Sequence, residues 1–348
     1  MLRLPKFSYL QPKTVSEAVR MISDAGPEAM FVAGGTDLYP NMKRRQQVPK
    51  VVIGLAGIRQ LGSIKGKPTD GMVLGAGLTL TAVTEDRRIQ RDYPVVAKAA
   101  ELISTPLLRN MGSIGGNLLL DTRCNYYDQN YEWRKAIHFC MKKDGDICWV
   151  APSSPRCWAV QSSDCAPVMV AIGAKVKLVS SQGDRLISAA DLYNDDGIRH
   201  LNKRPDELLT EIHLPPTNGW RATYWKLRRR GSFDFPVLGV ATWLRLAGDG
   251  TVEDAKIILG GVGSYSVEAV LSQQAIIGKK LTEQTITEAA ATAYPVAKPL
   301  DNTDFAMSWR KEMARYYVAG TLRELGGLPP SFPPPDYDNG SSPGFRVL

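Results

Sequence analysis

The chain has 348 residues, 44% of them hydrophobic and 22% charged, with a formal net charge of +8. This is ordinary globular composition with room for two or three domains of about 100–200 residues, and a core of that size needs no disulfide staples. The basic excess is scattered along the sequence, with its densest run at Lys226-Leu-Arg-Arg-Arg230, so an acidic protein partner or an anionic cofactor is expected and nucleic acid is not.

The opening Met1-Leu-Arg-Leu-Pro-Lys6 has no apolar signal core and no twin-arginine pair. No segment approaches the roughly 20 apolar residues of a membrane span. A soluble, cytoplasmic protein is expected, with no membrane partner.

The elements in chain order begin with a helix over Val15–Ala25, capped by Thr14 or Ser16, with Ala18, Val19 and Ile22 on one face. A short strand at Met30–Ala33 runs into a Gly loop, a short helix at Asp37–Arg45 and a strand at Val51–Leu55. A second unit has a strand at Met72–Gly77, helices at Thr79–Arg88 and Val95–Ile103, and a further Gly loop within Arg109–Leu120. Residues 121–163 then break the periodicity. A structureless loop of that length is improbable in a compact domain, so the segment reads as an insertion with its own organiser. A helix at Ala166–Ile172 and a strand at Lys175–Ser180 follow.

A third region, taken to begin near Leu186, has strands at Glu207–Leu214, Ala222–Leu227, Val237–Leu246 and Thr251–Gly260 and helices at Glu283–Tyr294 and Thr303–Leu325. Strands followed by helices indicate an antiparallel sheet backed by helices, an α+β domain. The expected division is 1–57, 58–180 carrying the insertion 121–163, 181–328, and a Pro-rich tail at 329–348.

Three features carry chemistry. In Ala33-Gly-Gly-Thr-Asp37 the glycines allow backbone N–H groups to approach a pyrophosphate and Thr36 adds a hydroxyl donor; a plain strand–helix turn explains the same residues equally well. Asp37 is expected to cap the next helix rather than meet phosphate, because like charges repel. In Gly112-Ser-Ile-Gly-Gly-Asn117 the same physics recurs, and Asn117 brings an amide. Two such loops suit a dinucleotide held from two sides, although neither is the Gly-x-Gly-x-x-Gly of a Rossmann site.

The third feature is the cysteine set. All five cysteines lie between 124 and 165, and four of them follow C-x15-C-x7-C-x8-C through Cys124, Cys140, Cys148 and Cys157. Thiolates bunched this closely suit an iron–sulfur cluster or zinc, but the close Cys pairs of zinc ribbons and bacterial ferredoxins are absent. Four buried, unliganded cysteines remain the alternative. Cys165 stands apart as a core or capping residue. His138 reads as a surface group or one near the cluster, and Trp149, Trp158, Tyr126 and Tyr127 as an apolar shell or the insertion's own small core. Only three histidines occur, and no Ser/His/Asp, Cys/His or His-Glu-x-x-His set presents itself. That favours a protein whose cofactors perform the chemistry.

At these residues a resemblance enters. Ala33-Gly-Gly-Thr-Asp-Leu38, Ser104-Thr-Pro-Leu-Leu-Arg-Asn-Met-Gly-Ser-Ile-Gly-Gly-Asn-Leu118, Ser163-Asp164 and Tyr224-Trp-Lys-Leu-Arg-Arg-Arg-Gly-Ser-Phe-Asp234 resemble, in family order, the FAD-binding medium subunit of the xanthine oxidase (molybdenum hydroxylase) family. The wide-spaced cysteine insertion resembles that of the 4-hydroxybenzoyl-CoA reductase β subunits.

The resemblance implies an α+β fold: two FAD-binding subdomains of the PCMH/vanillyl-alcohol-oxidase type, then an α+β C-terminal domain. It implies FAD contacts at Ala33, Gly34, Gly35, Thr36, Asp37 and Leu38, at Thr105, at Ser113, Ile114, Gly115, Gly116 and Asn117, and at Asp164 and Lys226. It implies a [4Fe–4S] cluster on Cys124, Cys140, Cys148 and Cys157. The implied partners are a small subunit with two [2Fe–2S] clusters, a large molybdopterin subunit and a ferredoxin-like donor, in a dimer of heterotrimers. Electrons would run from the donor through the cluster and FAD to molybdenum, where 4-hydroxybenzoyl-CoA loses its phenolic hydroxyl. Other medium subunits of aryl-CoA reductases or aromatic and heterocycle hydroxylases would look alike. A stand-alone flavoenzyme on this fold and a zinc-holding scaffold are the readings of other classes.

Overall fold

A computed structural model describes residues 2–329. Its first unit is a three-stranded parallel sheet in the order Ser8–Leu10, Val51–Gly54, Ala29–Val32. The helix Val15–Ala25 covers it with Val15, Ala18, Val19 and Ile22. Thr14 caps that helix by accepting from the Glu17 N–H at 3.1 Å, and Gly26 ends it at φ +66°, a conformation glycine adopts without steric cost.

The second unit is a five-stranded antiparallel sheet in the order Ile64–Lys67, Gly71–Gly75, Leu208–Leu214, Lys175–Ser180, Gly183–Ser188. Here the expectation for Glu207–Leu214 is corrected. That strand is central to the second sheet, pairing Leu214 with Met72 and Ile212 with Val176, and does not belong to the C-terminal sheet. The physical reason is that five of its seven residues are buried, as a strand covered on both faces must be. The expected division after residue 180 passes through the turn of the hairpin that pairs Ser180 with Gly183.

The expected helix Thr79–Arg88 is two helices, Leu80–Glu85 and Arg87–Asp92. Asp86 separates them by accepting from the N–H groups of Arg88 at 2.9 Å and Ile89 at 3.3 Å, starting a new helix. Pro94 then occupies the first position of Pro94–Glu101, where its missing N–H costs nothing.

The third unit is a four-stranded antiparallel sheet in the order Val267–Glu268, Val252–Gly260, Leu238–Leu246, Trp220–Leu227, packed against helices Val270–Ile276, Glu283–Ala293 and Met307–Gly326. Its core gathers Leu238, Val240, Ile257 and Leu259 from the sheet with Ala289, Val318 and Leu322 from the helices. No helix among the described residues is long and apolar enough to cross a membrane. The Pro-rich tail lies, beyond Pro329, outside the described residues.

The insertion 121–163 is closed at its base. Arg123 and Val160 exchange two backbone hydrogen bonds of 2.8 Å, so the segment leaves the fold and returns through one two-residue stem. Inside it are a short helix, Tyr131–Ala136, and three non-glycine residues with positive φ, His138, Phe139 and Asp144.

Candidate functional site

A cavity of about 840 Å³ opens between the units. It is at the upper end of the roughly 300–1,000 Å³ typical of small-molecule sites. Its walls include both Gly loops, Asp164 and Lys226, and, from the insertion, Arg123 and Cys124.

The first loop leaves the strand Ala29–Val32 at its carboxyl end. The backbone N–H groups of Gly34, Gly35, Thr36 and Asp37 are bonded to none of the described residues. A run of free backbone donors on a cavity wall is a receptor for anionic oxygens. The two glycines are needed for different reasons. A Cβ on Gly34 would overlap the carbonyl of Met111, so this glycine lets the first loop pack on the second. Gly35 has φ +72°, and a Cβ there would strike the ring of Tyr39. Asp37 stands at the start of helix Leu38–Lys43 but makes no capping bond, contrary to expectation. Its carboxylate instead pairs with Arg123 and accepts from Asn41 Nδ2 at 3.0 Å. The Arg123 guanidinium lies 4.6 Å from the centre of the Phe235 ring, another wall residue.

The second loop is built differently. Ile114 N–H donates to Leu78 O and Gly115 N–H to Ala76 O, both at 2.9 Å; Gly116 N–H donates to Ser113 Oγ at 3.1 Å and Asn117 N–H to Ser113 O at 2.9 Å. Its amides are therefore used within the fold. A Cβ on Gly115 would lie 2.6 Å from that of Ala76, whereas one on Gly116 meets only Ser113 Oγ, leaving Gly116 open to the cavity. Asn117 Oδ1 accepts from Ser163 Oγ at 2.7 Å and the Cys165 N–H at 3.1 Å, tying this loop to the start of helix Cys165–Ala171.

Not every expected residue faces the cavity. Ser113, Gly115, Gly116, Asn117 and all of Ala33–Leu38 line it. Ile114 is fully buried in the hydrophobic core instead. Thr105 caps helix Pro106–Arg109 by accepting from the Leu108 N–H at 3.4 Å, and it is its neighbour Ser104 that reaches the wall.

Asp164 and Lys226 meet on the wall. Lys226 Nζ donates to Asp164 Oδ2 at 2.9 Å and to Leu102 O at 3.0 Å, and Tyr224 OH donates to Asp164 Oδ1 at 2.8 Å. Burial pushes the Asp164 carboxyl up and the Lys226 ammonium down, each toward its neutral form, and each is held back by the other's charge. Sequence reasoning missed further wall residues, among them His200, Phe235 and Lys203. Burial lowers Lys203 to about 8 while its Nζ donates to Arg204 O at 2.8 Å and Glu207 O at 2.7 Å. They sit in irregular segments, where hydrophobic periodicity carries no signal.

The four insertion cysteines are all buried and unpaired by disulfides. Cys124, Cys140 and Cys157 pack in one small cluster with Tyr127 and Ala159. Cys124 is electrostatically close to Cys140 and Cys157, and Cys157 to Cys140 and Cys148, so the network joins all four thiols. Burial pushes Cys124 up to about 12 and Cys157 up to about 11. Among the described residues no group of three or more His, Cys, Asp or Glu is drawn into metal-ligating geometry. Lys142 braces the cluster's side, donating to Asp121 Oδ1 at 2.8 Å, Thr122 Oγ1 at 2.7 Å and Gly197 O at 2.6 Å. His138 is exposed, and Cys165 is a fully buried core residue outside the network.

The family model "FAD binding domain in molybdopterin dehydrogenase" matches residues 5–217, and "CO dehydrogenase flavoprotein C-terminal domain" matches 222–325. The chain is 32% identical over 278 residues to the aldehyde oxidoreductase FAD-binding subunit PaoB of Escherichia coli K12, covering 77% of this chain and 85% of that one. It is 27% identical to the carbon monoxide dehydrogenase medium chain of Afipia carboxidovorans, covering 88% and 92%. A solved structure of carbon monoxide dehydrogenase from Hydrogenophaga pseudoflava, lacking the Mo-pyranopterin moiety of its cofactor, superposes with a TM-score of 0.76 at 26% identity, over 93% of this chain and 99% of that one. With both matched regions in family order and a cavity bounded by the two Gly loops, the chain belongs to the molybdenum hydroxylase family (CO dehydrogenase/xanthine oxidase), as an FAD-binding medium subunit.

Proposed function

We propose that this chain is the flavin and iron–sulfur electron-transfer subunit of a molybdenum enzyme that works reductively, of the 4-hydroxybenzoyl-CoA reductase kind. The observation that carries the reading is the double membership of Cys124. It belongs to the buried cysteine cluster and also lines the cavity that both Gly loops bound. Buried thiols are the donor type an iron–sulfur centre takes, and Cys124 brings one of them to the cavity, although among the described residues the four are not drawn into ligating geometry.

In this reading the free N–H groups of Gly34, Gly35, Thr36 and Asp37 hold the FAD pyrophosphate. Gly116 allows its close approach, and Ser113 and Asn117 fix the second wall. Asp164 and Lys226 stand at the redox-active end. Cys124, Cys140, Cys148 and Cys157 hold a [4Fe–4S] cluster. The bound groups would supply one- and two-electron chemistry. The chain itself binds and orients them, keeps water from the cluster with Tyr127 and Ala159, and places a compensated charge pair beside the flavin.

A ferredoxin-like donor, a small subunit with two [2Fe–2S] clusters and a large molybdopterin subunit complete the proposed assembly, a dimer of heterotrimers. Substrate would be dehydroxylated on the large subunit. The test is anaerobic purification with iron, acid-labile sulfide, zinc and flavin measured per chain. About four irons, four sulfides and one FAD are expected. FAD without iron, after anaerobic reconstitution, would leave a medium subunit with inert cysteines and remove the reductase reading.

A further inference from the structure

Ser104 is a wall residue that the roles above leave unused. Its backbone has φ +51°, and that of Phe233 has φ +71°. Among the described residues these are the two non-glycine wall residues with positive φ, a region that a side chain occupies at a cost. They are bonded to each other, the Phe233 N–H donating to Ser104 O at 2.9 Å. The two preceding carbonyls are held as firmly. Lys226 Nζ and Arg228 Nη1 donate to Leu102 O at 3.0 and 2.9 Å, and Arg109 Nη1 donates to Ile103 O at 2.9 Å. Four donors on three successive carbonyls keep Ser104 in a conformation that a free chain would seldom adopt, and such over-determined outliers gather where ligands are clamped.

What this turn presents is a hydroxyl. Ser104 Oγ is bonded to none of the described residues, yet it is not among the side-chain atoms shut away from solvent, so it stays within reach of a ligand in the cavity. Its place narrows that ligand. Ser104 is two residues, at most about 7 Å of chain, from Leu102. Leu102 O shares the Lys226 ammonium with Asp164, so the hydroxyl stands at the Asp164–Lys226 end of the cavity. The free amides that suit phosphate belong instead to the first Gly loop. A hydroxyl both donates and accepts, which matches a ring edge that carries carbonyl oxygens beside an N–H, as the isoalloxazine does.

We propose that the Ser104 hydroxyl hydrogen-bonds the polar edge of the isoalloxazine ring of bound FAD, and that the turn at Ser104 is held out of its relaxed conformation to place it there. This rests on the placement of FAD argued under Proposed function. Lys226, Arg228 and Arg109 then act as the seat of the turn. A bond to the ring edge touches the flavin's electronics as well as its affinity.

The test uses the full chain with Ser104→Ala, which removes the hydroxyl and keeps the Cβ, and Ser104→Gly, which removes the hydroxyl and accepts φ +51° without cost. Three quantities are read: the FAD dissociation constant, the shape of the visible flavin bands, and the flavin midpoint potential. Both variants are expected to weaken FAD by about tenfold and to shift bands and potential alike, because both lack the hydroxyl. Parent-like affinity, bands and potential in both would overturn the proposal. So would a loss in only one of them, which would show that the shape of the turn matters and the hydroxyl does not. A loss of affinity with unaltered bands and potential would also overturn it, by placing the contact away from the ring. Failure of the parent chain to bind FAD at all would instead overturn the placement of the cofactor, and this inference with it.

Discussion

Lys226 Nζ and Asp164 Oδ2 lie 2.9 Å apart with their side chains 1% and 3% exposed, one on the strand Trp220–Leu227 and the other at the start of the helix Cys165–Ala171. A buried pair is held by mutual compensation, so removing one partner leaves the other's charge without a counter-ion. Asp164→Asn and Lys226→Met are each expected to cost about 3–5 kcal/mol. The double variant should recover much of that loss. Urea unfolding of all four proteins closes the cycle, and additive losses would show that the two groups do not depend on one another.

The two Gly loops give contrasting expectations for added side chains. Gly116→Val should leave the fold intact and abolish flavin binding, because its open side faces the cavity. Gly34→Ala should instead impair folding, since its Cβ would meet the backbone of Met111. Flavin absorbance and far-ultraviolet circular dichroism on the same samples separate the two, and normal FAD in Gly116→Val would reject that loop as a cofactor wall.

Cys140→Ser should reduce bound iron to a small fraction of the parent value while FAD stays near one per chain. The insertion enters and leaves by the Arg123–Val160 stem, and only Cys124 of the four cysteines lines the cavity. Loss of both iron and flavin would mean that the cluster region supports the cavity wall.

Lys203 should leave a signature in the pH dependence of stability. Its value falls to about 8 in the folded chain, from an ordinary 10.5. Between these values the unfolded chain holds a proton that the folded chain has released, so stability rises with pH across that window. Relative to Lys203→Met, the parent should therefore gain stability from pH 8 to pH 10, and flavin-free protein unfolded in urea at each pH measures it. A parallel trend in both proteins would mean that Lys203 titrates normally.

The sequence made some parts of this molecule plain and hid others for physical reasons. The helix Val15–Ala25 was legible because cap, apolar stripe and terminal glycine all agree. The Gly loops were legible because backbone approach demands glycine. The strand Leu208–Leu214 was misplaced because its apolar character says that both faces are covered but not which sheet covers them. The break at Asp86 was missed because a capping aspartate inside a helical pattern resembles any surface carboxylate. The places of His200 and Lys203 on the cavity wall had no local signal at all, since only the folded cavity brings residues 33–38, Ser113, Gly115, Gly116, Asn117, His200 and Lys203 to one place.

The base of the insertion is fastened from several directions. Arg123 reaches Asp37, Gln46 Nε2 donates to Tyr127 O at 2.5 Å, Asn302 Nδ2 donates to Trp158 O at 2.7 Å, and Asn302 O accepts from the Asn125 N–H at 2.8 Å. The cysteine segment is thus no detachable cassette. Transplanting 121–163 alone into a medium subunit without it would deliver the thiols but not their seat, and an acceptor scaffold would also need the equivalents of Asp37, Gln46 and Asn302.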